Sequence, residues 1–347
     1  MSLPILSLIF LAAGAVVWIA GIYVSKTTDV LSSRFGLGEA LGGAILLAIV
    51  TNLPEIAITA SGALRNQLDI ATGNILGGVA IQTVVLVLLD AAGMGKRAPL
   101  IGHAASLDLV LEALLVIVML AITVAAHQLP DSLVWHGITP DGLVICGAWV
   151  AGLYLIGQAR GKLPWQSHGD APGGQRRRTR RQKQEKGAAA KSSTPWAITI
   201  FLIAAGATLV AGVALQQTSE GIAKQLGLSG VVFGATILAA VTALPEISTG
   251  LAAVKLGDYK LAVSDIFGGN AFLPVIFIVA TLISGKAVLP RATKADMYLT
   301  VLGMLLTAVY IYALIFRPRR QIARMGIDSL VVLILYVIGI AGLLAIK

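Results

Sequence analysis

Thr51-Asn52-Leu53-Pro54-Glu55 lies inside the apolar run 41–63 and returns, changed at one position, as Thr242-Ala243-Leu244-Pro245-Glu246 inside 232–254. Each copy sets a proline and an ionisable glutamate in the middle of a stretch long enough for a helix to cross a bilayer. A charged side chain at mid-membrane costs about 2.5–3.5 kcal/mol on insertion scales, so acids there mark ion or proton pathways. Here that costly arrangement occurs twice, at matching places.

The composition agrees with a membrane setting. Of 347 residues, 57% are hydrophobic and 12% charged, where a soluble domain carries about 25% charged residues; the mean hydropathy is +0.87. The apolar runs are close to the ~20 residues a spanning helix needs, and they lack the alternation of barrel strands. The expected fold class is therefore an all-α polytopic membrane protein. One cysteine, Cys146, excludes an internal disulfide and a multi-cysteine metal site, and in an apolar run it reads as a small packed hydrophobe. No nucleotide-binding glycine motif, Cys/His metal cluster or nucleophile–base pair is evident, so neither an enzyme nor a resident cofactor is expected.

Ten apolar segments follow one another at about 4–24, 40–64, 69–92, 106–126, 141–158, 196–215, 229–255, 259–283, 296–316 and 327–346. The first has no preceding Lys or Arg and no small-residue cleavage site after it, which favours a helix over a signal peptide. Residues 25–34 read as a polar connection to the second. Residues 159–195 differ in kind: the basic run at 175–191 and its Gly/Ala/Lys/Ser surroundings form a disordered linker. It reads as a topology determinant, with anionic lipid headgroups as a possible partner and nucleic acid not expected.

Sliding the chain by 191 residues superposes Glu55 on Glu246, Pro54 on Pro245, Thr51 on Thr242, Asn74 on Asp265, and Gly77-Gly78 on Gly268-Gly269; ten of fourteen positions from Gly43 to Ile56 recur identically. The unit is duplicated. Five segments per unit force the second copy to enter the membrane the other way up. The expectation is ten transmembrane helices as two inverted five-helix repeats, 1–158 and 196–347, joined by a linker at 159–195, with a site at the midplane between them. Twenty of the 26 Lys and Arg residues then fall on one side. By the positive-inside rule this puts the N-terminus outside and the linker in the cytoplasm, across a cell inner (plasma) membrane. A monomer is expected.

Proline within a helix removes a backbone hydrogen bond and opens the preceding turn. This frees carbonyls around Thr51 and Thr242 as hard oxygen ligands, tolerated at membrane depth only inside protein or a cavity. Such ligands suit Na⁺ and Ca²⁺, the latter taking six to eight oxygens with carboxylates among them. Two carboxylates ~5 Å apart at an effective dielectric near 20 repel by roughly 3 kcal/mol, so an ion-free site resists closure and a loaded one permits it. That is the logic of exchange without leak. The plainer readings are a proline kink with a structurally paired acid, glycines 77, 78, 268 and 269 as packing residues, and Asp108 and Glu112 as first-turn acids.

The doubled Thr-x-Leu-Pro-Glu, each copy followed by a Gly/Asn-rich opening of the next segment, resembles the two repeats of the cation/Ca²⁺ antiporter superfamily, which includes sodium/calcium exchangers. The likeness is to a short prokaryotic member and covers both halves. It implies that Glu55 and Glu246 bind Ca²⁺ and Na⁺, and that Thr51 and Thr242 give carbonyl oxygens. Asn74 and Asn270 match the family's asparagines. Asn52, Gln82 and Asp265 stand at site positions with changed residues, giving as the expected cation site Glu55, Glu246, Thr51, Thr242, Asn52, Asn74, Asp265 and Gln82. Gly78, Gly269, Asn52 and Ala243 occupy places where serine is usual, Leu273 one where Asn or Asp is, and Val50 and Val241 ones where glycine is. The lost hydroxyls belong largely to the monovalent sites. The first functional reading is Ca²⁺ exchanged against Na⁺; the second is proton-coupled divalent-cation exchange through Glu55, Glu246 or Asp265. A third is a cation-binding homologue without turnover.

Overall fold

The protein's computed structural model describes residues 1–34, 49–94, 99–135, 137–162 and 193–346. The leading part of the second apolar segment and the basic run at 175–191 lie outside the described residues.

Helix α1 is Leu3–Arg34. Residues 49–51 are helical and lead into α2, Leu53–Leu64. Helix α3, Asp69–Leu88, ends in a π-helical turn, Leu89–Met94. Then come α4, Leu107–Ala126, α5, Pro140–Lys162, and α6, Thr194–Leu226. Helices α7, Gly230–Thr242, and α8, Leu244–Leu256, form one apolar pair bent by 41°. Helix α9, Tyr259–Ser284, contains a 3₁₀ turn at Leu273–Val275, where Pro274 cannot donate to the helix. Helices α10, Lys294–Phe316, and α11, Ile327–Ala345, are joined by a two-residue hairpin, β1 (Gln321–Ile322) and β2 (Met325–Gly326). Among the described residues eight helices are long and apolar enough to cross a membrane, nine with the bent pair. The chain is a multi-pass helical membrane protein.

Two helices run past their expected ends. Residues 25–34, read from sequence as a polar connection, continue α1. Nothing in them breaks a helix, and the Thr27 and Thr28 hydroxyls donate back to carbonyls of the preceding turn, at 2.8 Å to Tyr23 and 2.8 Å to Val24. Likewise α6 continues to Leu226 instead of stopping near 215. Ile222 and Ala223 pack with Leu6 of α1, Glu220 and Lys224 pair at i,i+4, and Gly227, at φ 67°, ends the helix in the left-handed conformation that favours glycine. Polarity alone made these segments look like loops; packing of α1 against α6 keeps them helical.

The motif itself is a helix start. Asn52 and Ala243 leave the regular helix, and Pro54 and Pro245 sit in the first turn of α2 and α8, where a missing N–H costs nothing. Glu55 and Glu246 fall in the same first turns, at the positive end of a half-helix dipole. Glycines then bring α3 and α7 backbone to backbone. A Cβ built on Gly73 would lie 2.5 Å from the Val231 carbonyl oxygen, one on Gly77 2.3 Å from Ala235 Cα, and one on Gly234 2.3 Å from the Ile70 carbonyl oxygen. Small residues permit such approach between membrane helices. It carries Asn74 of α3 against the end of α7.

Candidate functional site

Four elements converge on the two prolines: the helix broken at Asn52, α3, the α7–α8 pair and α9. Thr51, Asn52, Glu55, Asn74, Gln82, Thr242 and Glu246 are all buried, the two glutamates at 1% and 2% exposure. Both acids therefore face protein, not lipid. Glu246 lies within electrostatic reach of both Glu55 and Asp265.

The contacts cross between the two halves of the chain. The Thr242 hydroxyl donates toward Asn74 Oδ1 at 3.4 Å and the Ala239 carbonyl at 3.3 Å, its one proton shared between them, and it stands beside the Glu55 carboxyl. One residue of each repeat thus meets the other's motif. Near Glu246, the Thr249 hydroxyl donates to Asp265 Oδ2 at 3.0 Å. Asp265 is half-buried, held one turn from Glu246 by a neighbour on the same helical face. Asn52 and Gln82 meet over Gly269: a Cβ there would stand 3.4 Å from Asn52 Nδ2 and 3.4 Å from Gln82 Oε1.

Several buried polar atoms have no hydrogen-bond partner: Glu55 Oε2, both Glu246 carboxyl oxygens, Gln82 Oε1, Asn270 Oδ1 and the Asn74 amide nitrogen. Burying a carboxylate without compensation is expensive. Most of these orphans are oxygens, the donor set of a hard cation. Among the described residues no group of three or more His, Cys, Asp or Glu side chains is poised for a metal. Two buried carboxylates among neutral oxygens make an oxygen-lined cluster of modest charge.

All eight residues expected from the sequence are accounted for. Seven lie buried around the two prolines, and Asp265 stands at the edge. Asn270, Thr83 and Thr249 were not counted among the candidates. Asn270 is fully buried and donates to Thr83 Oγ1 at 3.2 Å and to the Val79 carbonyl at 3.4 Å; its place in the Gly-Gly-Asn block was the signal. Thr249, three residues after Glu246, was legible by helical spacing. Thr83 gave no signal, since a threonine in an apolar helix commonly bonds its own backbone, as Thr83 does to Val79 at 2.7 Å. Gly77 is a packing residue against Ala235, and Asp108, in the first turn of α4, forms an ion pair with Lys260.

Comparison with known proteins gives consistent findings. The family model described as sodium/calcium exchanger protein matches residues 5–157 and 196–345. The chain is 26% identical over 303 residues to CaxA of Alkalimonas amylolytica, covering 86% of this chain and 87% of that protein. It is 25% identical over 282 residues to the inner membrane protein YrbG of Escherichia coli (strain K12), covering 81% of each. Among solved structures, the H⁺/Ca²⁺ exchanger CAX superposes with a TM-score of 0.63 at 15% identity, over 98% of this chain and 87% of that one. The sodium-calcium exchanger NCX_Mj superposes at 0.62 and 18% identity, over 98% and 99%.

Proposed function

The chain belongs to the sodium/calcium exchanger protein family, and from that premise we propose that it is a secondary active antiporter exchanging Ca²⁺ for Na⁺ by alternating access at a site built on Glu55 and Glu246. The observation that carries this reading is the pair of buried glutamates with unpartnered oxygens. In the ion-free, doubly ionised state their repulsion opposes closure; a divalent ion, or two monovalent ones, removes it. Thr51, Thr242, Asn52, Asn74, Gln82 and Asp265 complete the ligand set.

The architecture proposed is ten spanning helices in two inverted halves, 1–158 and 196–347. The linker at 159–195 is cytoplasmic and open to anionic lipid, and the N-terminus is outside. Symmetric contacts support it. Gly21 of α1 seats Pro245, with a built Cβ 2.7 Å from the ring; its mate 191 residues on, Gly212 of α6, seats Pro54, with a built Cβ 2.9 Å from the Pro54 carbonyl. A monomer suffices, because both halves of the site come from one chain.

The test is Ca²⁺ uptake into vesicles holding the purified protein, with Na⁺ and H⁺ gradients imposed separately. Uptake driven by the Na⁺ gradient alone is expected. Uptake driven only by protons transfers the reading to H⁺ coupling, and no flux under either gradient leaves a cation-binding homologue without turnover.

The proton-coupled reading has its own observation: Asp265, a third carboxyl beside Glu246 where its repeat mate is Asn74. If Asp265 exchanges its proton on loading, Asp265→Asn loses the pH dependence of flux and moves toward Na⁺-dependent exchange. An unchanged pH profile makes Asp265 a packing residue.

Gly269 tests the missing hydroxyls. The 3.4 Å contacts around its built Cβ are ordinary van der Waals distances, so a Cβ is accommodated there and Gly269→Ser adds a hydroxyl near Asn52 and Gln82. We expect it to fold normally and to lower the Na⁺ concentration needed for half-maximal exchange by about threefold, the worth of one added neutral hydrogen-bonding ligand. An unaltered Na⁺ dependence would separate this position from the monovalent site.

A further inference from the structure

Helices α2 and α6 cross closely near Pro54. A Cβ built on Gly212 would lie 2.6 Å from Ala57 Cβ and 2.9 Å from the Pro54 carbonyl oxygen. Beside this crossing runs a groove of about 360 Å³, lined by Ala57, Ala60, Leu209 and Val213, with Arg65 and Gln217 at its polar end. Its volume falls in the range of small-ligand sites, about 300–1,000 Å³. Leu209 and Val213 are 38% and 36% exposed, so no other part of the described chain covers them. Counted from Thr194, the start of α6, they lie about 22 and 28 Å along the helix at 1.5 Å per residue. That is within the ~30 Å of hydrocarbon. Gln217, at about 35 Å by the same rise, reaches the headgroup level on the face away from the linker. Gln216 Nε2 bonds the Gln67 carbonyl at 3.4 Å, which sets the end of α2, and Arg65 with it, at that same level.

The corresponding place in the other half is occupied by the chain itself. At the offset of 191 residues Leu209 becomes Trp18, Ala57 becomes Ser248 and Ala60 becomes Leu251. The Trp18 indole donates from Nε1 to Ser248 Oγ, so its ring bridges α1 and α8. Leu209 and Ala57 leave α6 and α2 unbridged. Water does not fill such a gap, because a buried water needs two to four polar partners and these walls are apolar. The medium that fills it is acyl chain. At the polar end Arg65 makes no ion pair among the described residues, and its guanidinium is a planar fork of donors that matches phosphate. No acid lines the groove, so a headgroup ammonium finds no counter-charge there.

We propose that this groove is a lipid site: it holds one acyl chain of an anionic phospholipid from the leaflet away from the linker, with the phosphate on Arg65 and Gln217. The site is independent of the antiporter reading, and its test needs no turnover. Phosphatidylglycerol is added to the purified full chain in detergent, with phosphatidylethanolamine of the same chains as the comparison, and native mass spectrometry reads the lipid retained. One phosphatidylglycerol should stay bound under activation that strips the rest. Arg65→Gln should lower its retained fraction about fivefold, the worth of one basic residue at an anionic surface, and abolish the preference over phosphatidylethanolamine. Leu209→Trp puts the indole of the other half into the groove, and should remove the retained lipid of either headgroup while the melting temperature holds. Ala60→Leu, likewise the residue of the other half, fills the groove from α2 and carries the test if Leu209→Trp does not fold. Lipid held by the basic run at 175–191 survives both of these changes, so a retained adduct that neither of them removes overturns the proposal. An adduct that shows no preference for phosphatidylglycerol and ignores Arg65→Gln overturns the headgroup assignment. A dimer peak, in place of a lipid adduct, that disappears in the groove-filling variants gives the groove to a second copy of the chain and overturns the lipid site as well.

Discussion

Glu55→Gln and Glu246→Gln each lower Ca²⁺ flux by roughly two orders of magnitude or more while leaving the protein folded. At Ca²⁺–oxygen distances near 2.5 Å and an effective dielectric of 20, each carboxylate attracts a divalent ion by about 13 kcal/mol before desolvation. If only a fifth of that survives, the lost affinity is ~100-fold. Glutamine keeps the shape and one oxygen, so packing around Pro54 or Pro245 is undisturbed. Removing one of two repelling buried acids also relieves strain in the ion-free protein. Its melting temperature should therefore match or exceed that of the unaltered chain without Ca²⁺, and should no longer rise when Ca²⁺ is added, since ligand stabilisation follows affinity. Unaltered flux at normal membrane abundance in either variant would sink the paired-glutamate mechanism.

Gly77→Ala is expected to cost nearly as much function by a purely geometric route. The added Cβ would sit 2.3 Å from both Ala235 Cα and Cβ, where carbon atoms settle at about 3.5–4.0 Å. The partner is backbone, so α3 and α7 must part by more than an ångström, an overpacking cost of roughly 1–3 kcal/mol. The same motion pulls Asn74 from Thr242, now 3.4 Å apart, and Thr242 from Glu55. Misplacing ligands by such a distance lowers turnover by up to about 10²-fold. Gly147→Ala and Gly206→Ala, with nothing within 4 Å of the built Cβ, make the control: they should be neutral or slightly stabilising through helix propensity. Equal melting temperatures and fluxes for Gly77→Ala and these controls would show that the α3–α7 contact does not hold the site.

The contrast between Gly77 and Gly147 marks where reading the chain stops. Both are glycines in apolar helices, and no local pattern separates them; only the neighbour 158 residues away does. Asn270 and Gln82 differ in the same manner. Each is a polar residue in an apolar run, and rotation of the helix about its axis decides what it meets. Thr249 was within reach, because three residues along one helix share a face whatever the fold.

Membrane residence, the repeat offset of 191 residues and the two mid-membrane acids are properties of the chain in one dimension, set by hydropathy, by duplication and by the fixed rise of a helix. They stand in the sequence without any partner. That the hydroxyl of Thr242 reaches Asn74 of the other repeat, that Asn52 and Gln82 both approach Gly269, and that α1 and α6 stay helical through their polar ends were decided by tertiary structure alone. Each depends on which helices approach closely enough to touch, and that approach is set by contacts such as Gly73 on Val231 and Gly212 on Pro54, between residues more than a hundred positions apart.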